Sequence, residues 1–492
     1  MDRGGRARTP RREAAGLATG LLVMGVFGLL VISRDHALGW DEAVYAVWAR
    51  GIATDAPIDD VVGIYRPPGL PLLGAGTHVV GLTDQGLRLV SLALGLLAIA
   101  GVWALARTVF GGRTALLALV VTVGTQAVVR ELPLFHNDLP STGALLWLMT
   151  LLWSQFTTRR RPGPALLLAA PMAAAAFYLR FGVLAALVGI ALVVVVLWWR
   201  TLGRARVLAG LTLGSTVILL LPHALYAITE RGVPWGVLTA AADVTNTTGP
   251  LAAMVAYLGM LPRTLAGPAA VSFVVAGVLL SGRCLLPARA SGTPTGVRRR
   301  VAFLSIPATF AAGATIAVSH PEPRYLLFPA LLFVIVGAHG VRRGYRAVVR
   351  RAGRGRERRI RLATGALVVL LVGAVVGREL WTETTRPARG AWYRQTARAI
   401  GRVAGDGCVI AATRVPAVAW YSGCSVHRMA SSTPAALLQT AATSRWVLLT
   451  SEDDDRIGKG HVDPYRALVA GSVPFATTTA QGGWATAYHV GR

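Results

Sequence analysis

The chain is divided into apolar runs of membrane-crossing length, and this pattern constrains its fold more than any other feature. Eleven runs are readable, at about 15–33, 86–106, 114–130, 139–157, 164–179, 182–199, 207–228, 264–282, 302–318, 325–341 and 362–380. A helix needs roughly 20 apolar residues to cross a hydrocarbon core about 30 Å thick, and inside lipid its backbone bonds are all satisfied internally. A 492-residue chain that is 54% hydrophobic and 15% charged is too apolar for a soluble protein of its size. The expected class is an all-α polytopic membrane protein of about 11 transmembrane helices. The runs at 164–179 and 182–199 also read as one broken unit.

The net charge is +27, from 50 Lys and Arg against 23 Asp and Glu, and Lys459 is the single lysine. The arginines gather between apolar runs: Arg159 to Arg161; Arg200, Arg204 and Arg206; Arg298 to Arg300; and the dense stretch from Arg342 to Arg361. Positive loops hold membrane helices on the cytoplasmic side, so the pattern places the basic N-terminus there. An odd helix count then puts residues 381–492 outside the cytoplasm. Between residues 14 and 380, every Asp and Glu except Glu357 falls on that outer side, so any chemistry faces outward. The basic runs lack interleaved aromatics, which argues against nucleic acid as a partner. The apolar run at 15–33 lacks a small-residue cleavage exit and reads as a first transmembrane helix. The expected location is the plasma membrane of a bacterium. The expected divisions are a basic cytoplasmic segment 1–14, a membrane domain 15–383 with a first outer loop 34–85, and an outer domain 384–492.

The segment from about 384 changes character. Short β-rich runs (Cys408–Ala412, Trp446–Thr450, Ala485–Val490) alternate with helical stretches (Thr433–Ala442, Pro464–Ala470), the pattern of a small α/β domain. Cys408 and Cys424 both lie in it, and an oxidising compartment favours a disulfide between them over two free thiols. Cys284 stands apart, and no Cys/His metal spacing occurs. The run Glu452-Asp453-Asp454-Asp455 lacks the alternation of a calcium loop and reads as solvated. Asn246-Thr247-Thr248 matches an N-glycosylation acceptor, a pattern common by chance.

Five constellations carry candidate chemistry. Asp41 and Glu42 follow the first apolar run within the aromatic stretch Gly39-Trp40-Asp41-Glu42-Ala43-Val44-Tyr45; an ionised pair against a membrane face needs a reason. Paired acids bind a divalent cation, or one acts as base while the other orients a substrate. Asp138, in Phe135-His136-Asn137-Asp138-Leu139-Pro140, stands either as an ordinary helix N-cap or as a second acid with His136 beside it. In Tyr65-Arg66-Pro67-Pro68 the prolines fix the backbone while the guanidinium offers a fork to phosphate oxygens; the alternative is an interfacial turn with Arg snorkelling and Tyr anchoring. Arg180 is a lone cation between two apolar runs and requires an anionic partner, either a lipid phosphate or an internal carboxylate. The short loop His320-Pro321-Glu322-Pro323-Arg324-Tyr325 packs His, Glu, Arg and Tyr into six residues, as a headgroup contact or a tight turn.

In this order the five resemble the GT-C superfamily of membrane glycosyltransferases, nearest the protein O-mannosyltransferase and aminoarabinose transferase group. That family has an acidic pair in the first outer loop (here Asp41–Glu42), a basic-Pro-Pro turn (Arg66-Pro67-Pro68) and a second acid after the third helix (Asp138). A basic residue and Gly after the fifth helix (Arg180, Gly182) and an Arg-Tyr-Leu with proline entering a late helix (Arg324-Tyr325-Leu326, Pro329) complete the set. The chain carries Arg66 where aminoarabinose transferases have lysine, and it lacks the β-trefoil-type domain of eukaryotic protein mannosyltransferases.

The resemblance implies transfer of a sugar from a polyprenyl-phosphate donor to an extracytoplasmic acceptor with inversion at the anomeric carbon. Asp41 is the expected base. Glu42 or Asp138 would orient the acceptor or, with Asp41, hold a divalent metal. Arg66, Arg180 and Arg324, with Tyr65 and Tyr325, would take the donor phosphate. His136, Asn137, His320 and Glu322 are the candidate supporting residues. No organic cofactor is expected, and the partners are the lipid-linked donor, membrane lipids, and a glycan, lipid or protein acceptor. The alternative is a transporter or lipid-linked-sugar flippase. Those place charges near the bilayer midplane on broken helices with internal repeats, and no repeat is visible here.

Overall fold

A computed structural model of the chain describes residues 5–34, 36–54, 66–81, 83–157, 162–239, 249–286, 294–318, 320–352, 354–385, 390–440, 442–480 and 483–490. Tyr65, Arg159 to Arg161 and the Asn246-Thr247-Thr248 pattern lie outside the described residues.

Among the described residues, eight helices are long and apolar enough to cross a membrane: Arg11–Ile32, Asp84–Phe110, Phe181–Arg204, Arg206–Arg231, Gly267–Leu285, Thr295–Val318, Pro323–Val349 and Gly365–Glu383. The other three expected runs are helical but shorter, interrupted or less apolar. The run at 114–130 is cut at Gly124–Thr125 into Gly112–Val123 and Gln126–Glu131. The run at 139–157 is the helix Asp138–Thr157. The run at 164–179 is a 3-10 turn, Pro164–Leu168, leading into Ala169–Leu179. It is separate from the next helix: Arg180 is extended (φ −158°, ψ 117°) and a 3-10 turn, Phe181–Val183, follows before Leu184–Arg204.

The chain forms two compact units. The first comprises Met1–Leu29, Ile64–Gly69 and Ser91–Trp381, and is helical. A close helix crossing joins Gly267–Leu285 to Leu327–Ala352 at Gly277 and Gly337, where a Cβ would strike the facing carbonyls of Phe333 and Phe273. Small residues at such crossings let backbones approach closely in lipid, where dispersion replaces the hydrophobic drive.

The second unit comprises Leu30–Gly63, Leu70–Val90 and Thr382–Arg492, so most of the first outer loop groups with the C-terminal segment. That loop is more regular than its sequence suggests, with helices Trp40–Thr54 and Gly69–Val79. A five-stranded sheet is built from β1 (Cys408–Ala412), β2 (Ser425–Arg428), β3 (Ser444–Thr450), β4 (Ala476–Ala480) and β5 (Gly483–Val490), in the order β2-β1-β3-β5-β4. β1 pairs in parallel with β2 and β3, and β5 runs antiparallel to β3 and β4. β1 is buried along its length, as the apolar run Cys-Val-Ile-Ala-Ala demands of a central parallel strand. Its side chains Val409 and Ala411 join Met429, Val447, Leu449 and Tyr465 in the domain core. The expected Cys408–Cys424 disulfide is present. Cys284 is buried in the first unit and takes no part in one.

Candidate active site

In the first unit the polar groups converge because three helix starts and junctions meet. Asp138 opens the helix Asp138–Thr157, Arg180 occupies the extended junction before Phe181–Val183, and Arg324 and Tyr325 lie in the 3-10 turn Pro323–Leu326. Asp138, 3% exposed, is ion-paired to Arg180, and its second oxygen lies 3.8 Å from Arg324 Nε. Arg180 stacks over the Tyr325 ring at 4.4 Å, with the Arg324 guanidinium 5.4 Å from the same centroid. The anionic partner required for Arg180 is thus an internal carboxylate. Glu322 accepts a 2.6 Å contact from Arg324 Nε and is the more exposed of that residue's two carboxylates.

These groups border a cavity of about 80 Å³. Asp138, Ser141, Thr142, Arg180, Arg324 and Tyr325 supply its polar part, and Leu145, Val183, Ala186, Ala311, Val318 and Phe328 its apolar part. A cavity lined by both guanidiniums and aliphatic side chains suits an amphiphile with an anionic head.

His136 lies behind Arg324. Its Nδ1 faces Glu131 Oε2 at 2.8 Å and Arg324 Nη1 at 3.3 Å. Asn137 donates to the Leu179 carbonyl at 2.8 Å, fixing the residue before Arg180. Arg66 is half-buried, and its turn ends at Gly69, where a Cβ would come within 2.6 Å of the Tyr178 carbonyl oxygen. Only glycine allows that approach, which brings the Arg-Pro-Pro turn to the segment carrying Arg180. The exposed His320 offers its carbonyl to Tyr257 at 3.5 Å.

In the second unit Asp41 and Glu42 form the first turn of the helix Trp40–Thr54, where carboxylates suit the helix dipole. Their environments differ. Asp41 is partly exposed, whereas Glu42 is buried. Glu42 takes both arms of Arg88, at 2.8 Å from Nε and 2.9 Å from Nη2, and also accepts from the Gly39 N–H at 2.8 Å. Arg88 donates further to the carbonyls of His36 (2.8 Å) and Ala37 (3.2 Å). Arg88 is a residue the sequence reading missed. So are Glu131 and Asp84, the latter accepting from Trp420 Nε1 and the Tyr421 hydroxyl, each at 2.7 Å.

Among the described residues, no group of three or more His, Cys, Asp and Glu is arranged to hold a metal ion. Both Glu42 oxygens are occupied by Arg88, and Asp138 is committed to arginine, which makes either a poor metal ligand as it stands.

Residues 66–226 match the family model described as dolichyl-phosphate-mannose-protein mannosyltransferase, a span that includes Arg66, Asp138 and Arg180. No curated protein matches the sequence. Among solved structures, ArnT from Cupriavidus metallidurans bound to undecaprenyl phosphate aligns with a TM-score of 0.65 at 14% identity, over 96% of this chain and 97% of that one. The apo oligosaccharyltransferase of Archaeoglobus fulgidus gives 0.59 at 13% identity, over 89% of this chain and 70% of that one. The mycobacterial arabinofuranosyltransferase AftD gives 0.54 at 12% identity, over 98% of this chain and 42% of that one. The chain has the fold of these membrane glycosyltransferases, and its family match agrees with the mannosyltransferase resemblance of its motifs.

Proposed function

From that shared fold we propose that the protein is an integral membrane glycosyltransferase that moves a sugar from a polyprenyl-phosphate donor to an extracytoplasmic acceptor, with inversion. The observation that carries this reading is the convergence of Arg180, Arg324 and Tyr325 on Asp138 beside a cavity with apolar walls. The matching fold of ArnT with undecaprenyl phosphate bound, and of an archaeal relative in complex with dolichol-phosphate, supports a prenyl phosphate as the donor's carrier.

In this reading the acceptor hydroxyl oxygen attacks the anomeric carbon as the bond from that carbon to the phosphate oxygen breaks. The electron pair leaves with the polyprenyl phosphate, and the hydroxyl proton passes to the Asp41 carboxylate. Arg180 and Arg324, with Arg66, bind the phosphate and stabilise the charge it gains. Tyr65 remains a proposed contact of that phosphate. Asp138 holds the two guanidiniums in place, so it serves as a positioning residue, as does Glu42 for the turn that carries Asp41. The protein lies in the plasma membrane of a bacterium with its N-terminus in the cytoplasm and its sheet domain outside. A divalent metal at Asp41 would need ligands beyond Glu42; one archaeal relative was solved in complex with zinc and sulfate. The flippase alternative draws no support from the polar cluster, which occupies helix ends and junctions.

Labelled polyprenyl-phosphate sugars supplied to lipid-reconstituted protein test the reading. Transfer or donor hydrolysis that is lost in Asp41→Asn is expected, with a chelator arm reporting any metal requirement. Transbilayer movement of the donor without hydrolysis or transfer would replace this proposal with the flippase.

A further inference from the structure

The segment leading into Asp41 has its backbone polar groups held one after another, and much of the holding comes from the C-terminal domain. Arg88 takes the carbonyls of His36 and Ala37. The Leu38 N–H donates to the Tyr421 hydroxyl at 2.8 Å, and the Tyr393 hydroxyl donates to the Leu38 carbonyl at 3.0 Å. Gly39 closes the set: its N–H goes to Glu42 and its carbonyl accepts from Ala43 at 2.9 Å. Leu38 and Ala43 are fully buried, so each of these bonds is costly to leave unmade.

The tyrosines are themselves fixed. The Tyr421 hydroxyl, accepting from Leu38, donates its own proton to Asp84 at 2.7 Å, beside the bond from Trp420 to the same carboxylate. The carbonyls of Ala419 and Trp420 accept from Arg50 of the helix Trp40–Thr54, at 3.1 and 3.0 Å. The helix Val415–Ser422 that bears Trp420 and Tyr421 leads directly to Cys424, and the disulfide ties that end to β1 at Cys408. The chain of constraint therefore runs from the sheet, through the disulfide and Tyr421, to the peptide three residues ahead of Asp41, and Tyr393 reaches the same peptide from the helix Ala391–Ala404.

We infer that the C-terminal domain acts as a clamp on the base-bearing turn, with Tyr421 and Tyr393 as positioning residues that set the backbone from which Asp41 projects. The catalytic consequence rests on the proposed role of Asp41; the clamp itself does not. A base must be held at hydrogen-bond reach of its proton, and small misplacements cost rate far more than binding. The domain would then contribute to kcat, whereas a domain that recognises the acceptor would contribute to acceptor KM.

The experiment pairs hydrogen exchange with kinetics on the full-length protein in lipid or detergent. The variants are Tyr421→Phe and Tyr393→Phe, which keep the rings and remove the hydroxyls. Trp484→Phe, on the same domain but outside these contacts, is the control. Exchange in the peptide spanning residues 36–45 is expected to rise about fivefold in Tyr421→Phe, the change that loss of one buried hydrogen bond allows. Turnover is expected to fall in kcat with donor and acceptor KM unchanged. Unaltered exchange in both tyrosine variants overturns the clamp, and a rise in acceptor KM at constant kcat overturns its role in positioning Asp41. Faster exchange in protein that transfers no sugar from any donor, wild type included, upholds the clamp and defeats the glycosyltransferase reading.

Discussion

The molecule uses arginine and carboxylate in two regions, and uses them differently. In the second unit Glu42 and Arg88 are 3% and 5% exposed, paired through both oxygens, and Arg88 is further bonded to two carbonyls. In the first unit Arg180 is 21% exposed, faces a cavity, and shares Asp138 with Arg324. Residue type does not separate scaffold from working site here. Saturation and access to an open volume do: a guanidinium whose hydrogens are committed in a closed interior orders the chain, and one that borders a cavity can receive an anion.

Four measurements can break this comparison or sharpen it. Arg88→Ala strands a buried carboxylate and two backbone carbonyls, so a loss of about 3–5 kcal/mol is expected in denaturation of the second unit, with little rescue by Lys, which cannot form the fork. A folded Arg88→Ala protein of near-native stability would erase the distinction. Arg180→Ala is expected to destabilise less than Arg88→Ala, because Asp138 keeps Arg324 and borders the cavity, and to lower kcat about 10²–10³-fold, the cost of one charge-stabilising donor. Should it unfold the protein instead, Arg180 belongs with the scaffold. Replacing Cys408 and Cys424 by serine is expected to cost about 3 kcal/mol, the value for a loop near 15 residues, and reductant should reproduce it in the native protein. The smallest effect is a pH dependence. Burial and then the neighbouring Asp84 push the ionisation of Tyr421 to higher pH, and burial does the same for Tyr393. Groups raised in the folded state contribute stability that is whole below the unfolded value of about 10 and is lost as pH climbs through the folded one. Ultraviolet titration should therefore show Tyr421 and Tyr393 among the tyrosines that ionise together with unfolding, and both should disappear from that phase in the double Phe variant.

The membrane helices were legible because burial in lipid demands unbroken apolar length, and every expected run is helical. The breaks were less so: nothing in Gly124-Thr125 distinguishes it from the many other glycines within apolar runs, and the separation at Arg180 shows only in the backbone. The sheet's core strands appeared as apolar runs, while β2 and β4, with Ser, His, Arg and Thr on an edge, carried no such signal. Asp138, Arg180, Arg324 and Tyr325 were each conspicuous as polar residues beside apolar runs, and they meet. Asp84 and Arg88 were hidden by their position: charges at the opening of an apolar run pass for ordinary flanks of a membrane helix. Their spacing of four places them on one helix face, and an arginine already one turn inside the run was the available clue. Glu42 looked like half of a catalytic pair because the sequence offers no sign that a guanidinium 46 residues away claims both its oxygens.

The composition of the second unit also has a consequence for biosynthesis. Its pieces are Leu30–Gly63, Leu70–Val90 and Thr382–Arg492, so Leu38, just ahead of Asp41, is translated 355 residues before Tyr393 and 383 before Tyr421. A ribosome must translate the intervening membrane helices before that turn acquires its tyrosine restraints, whereas those of Arg88 come early. A product terminated before Tyr393 therefore carries the acidic pair with the Arg88 contacts but without the two tyrosines.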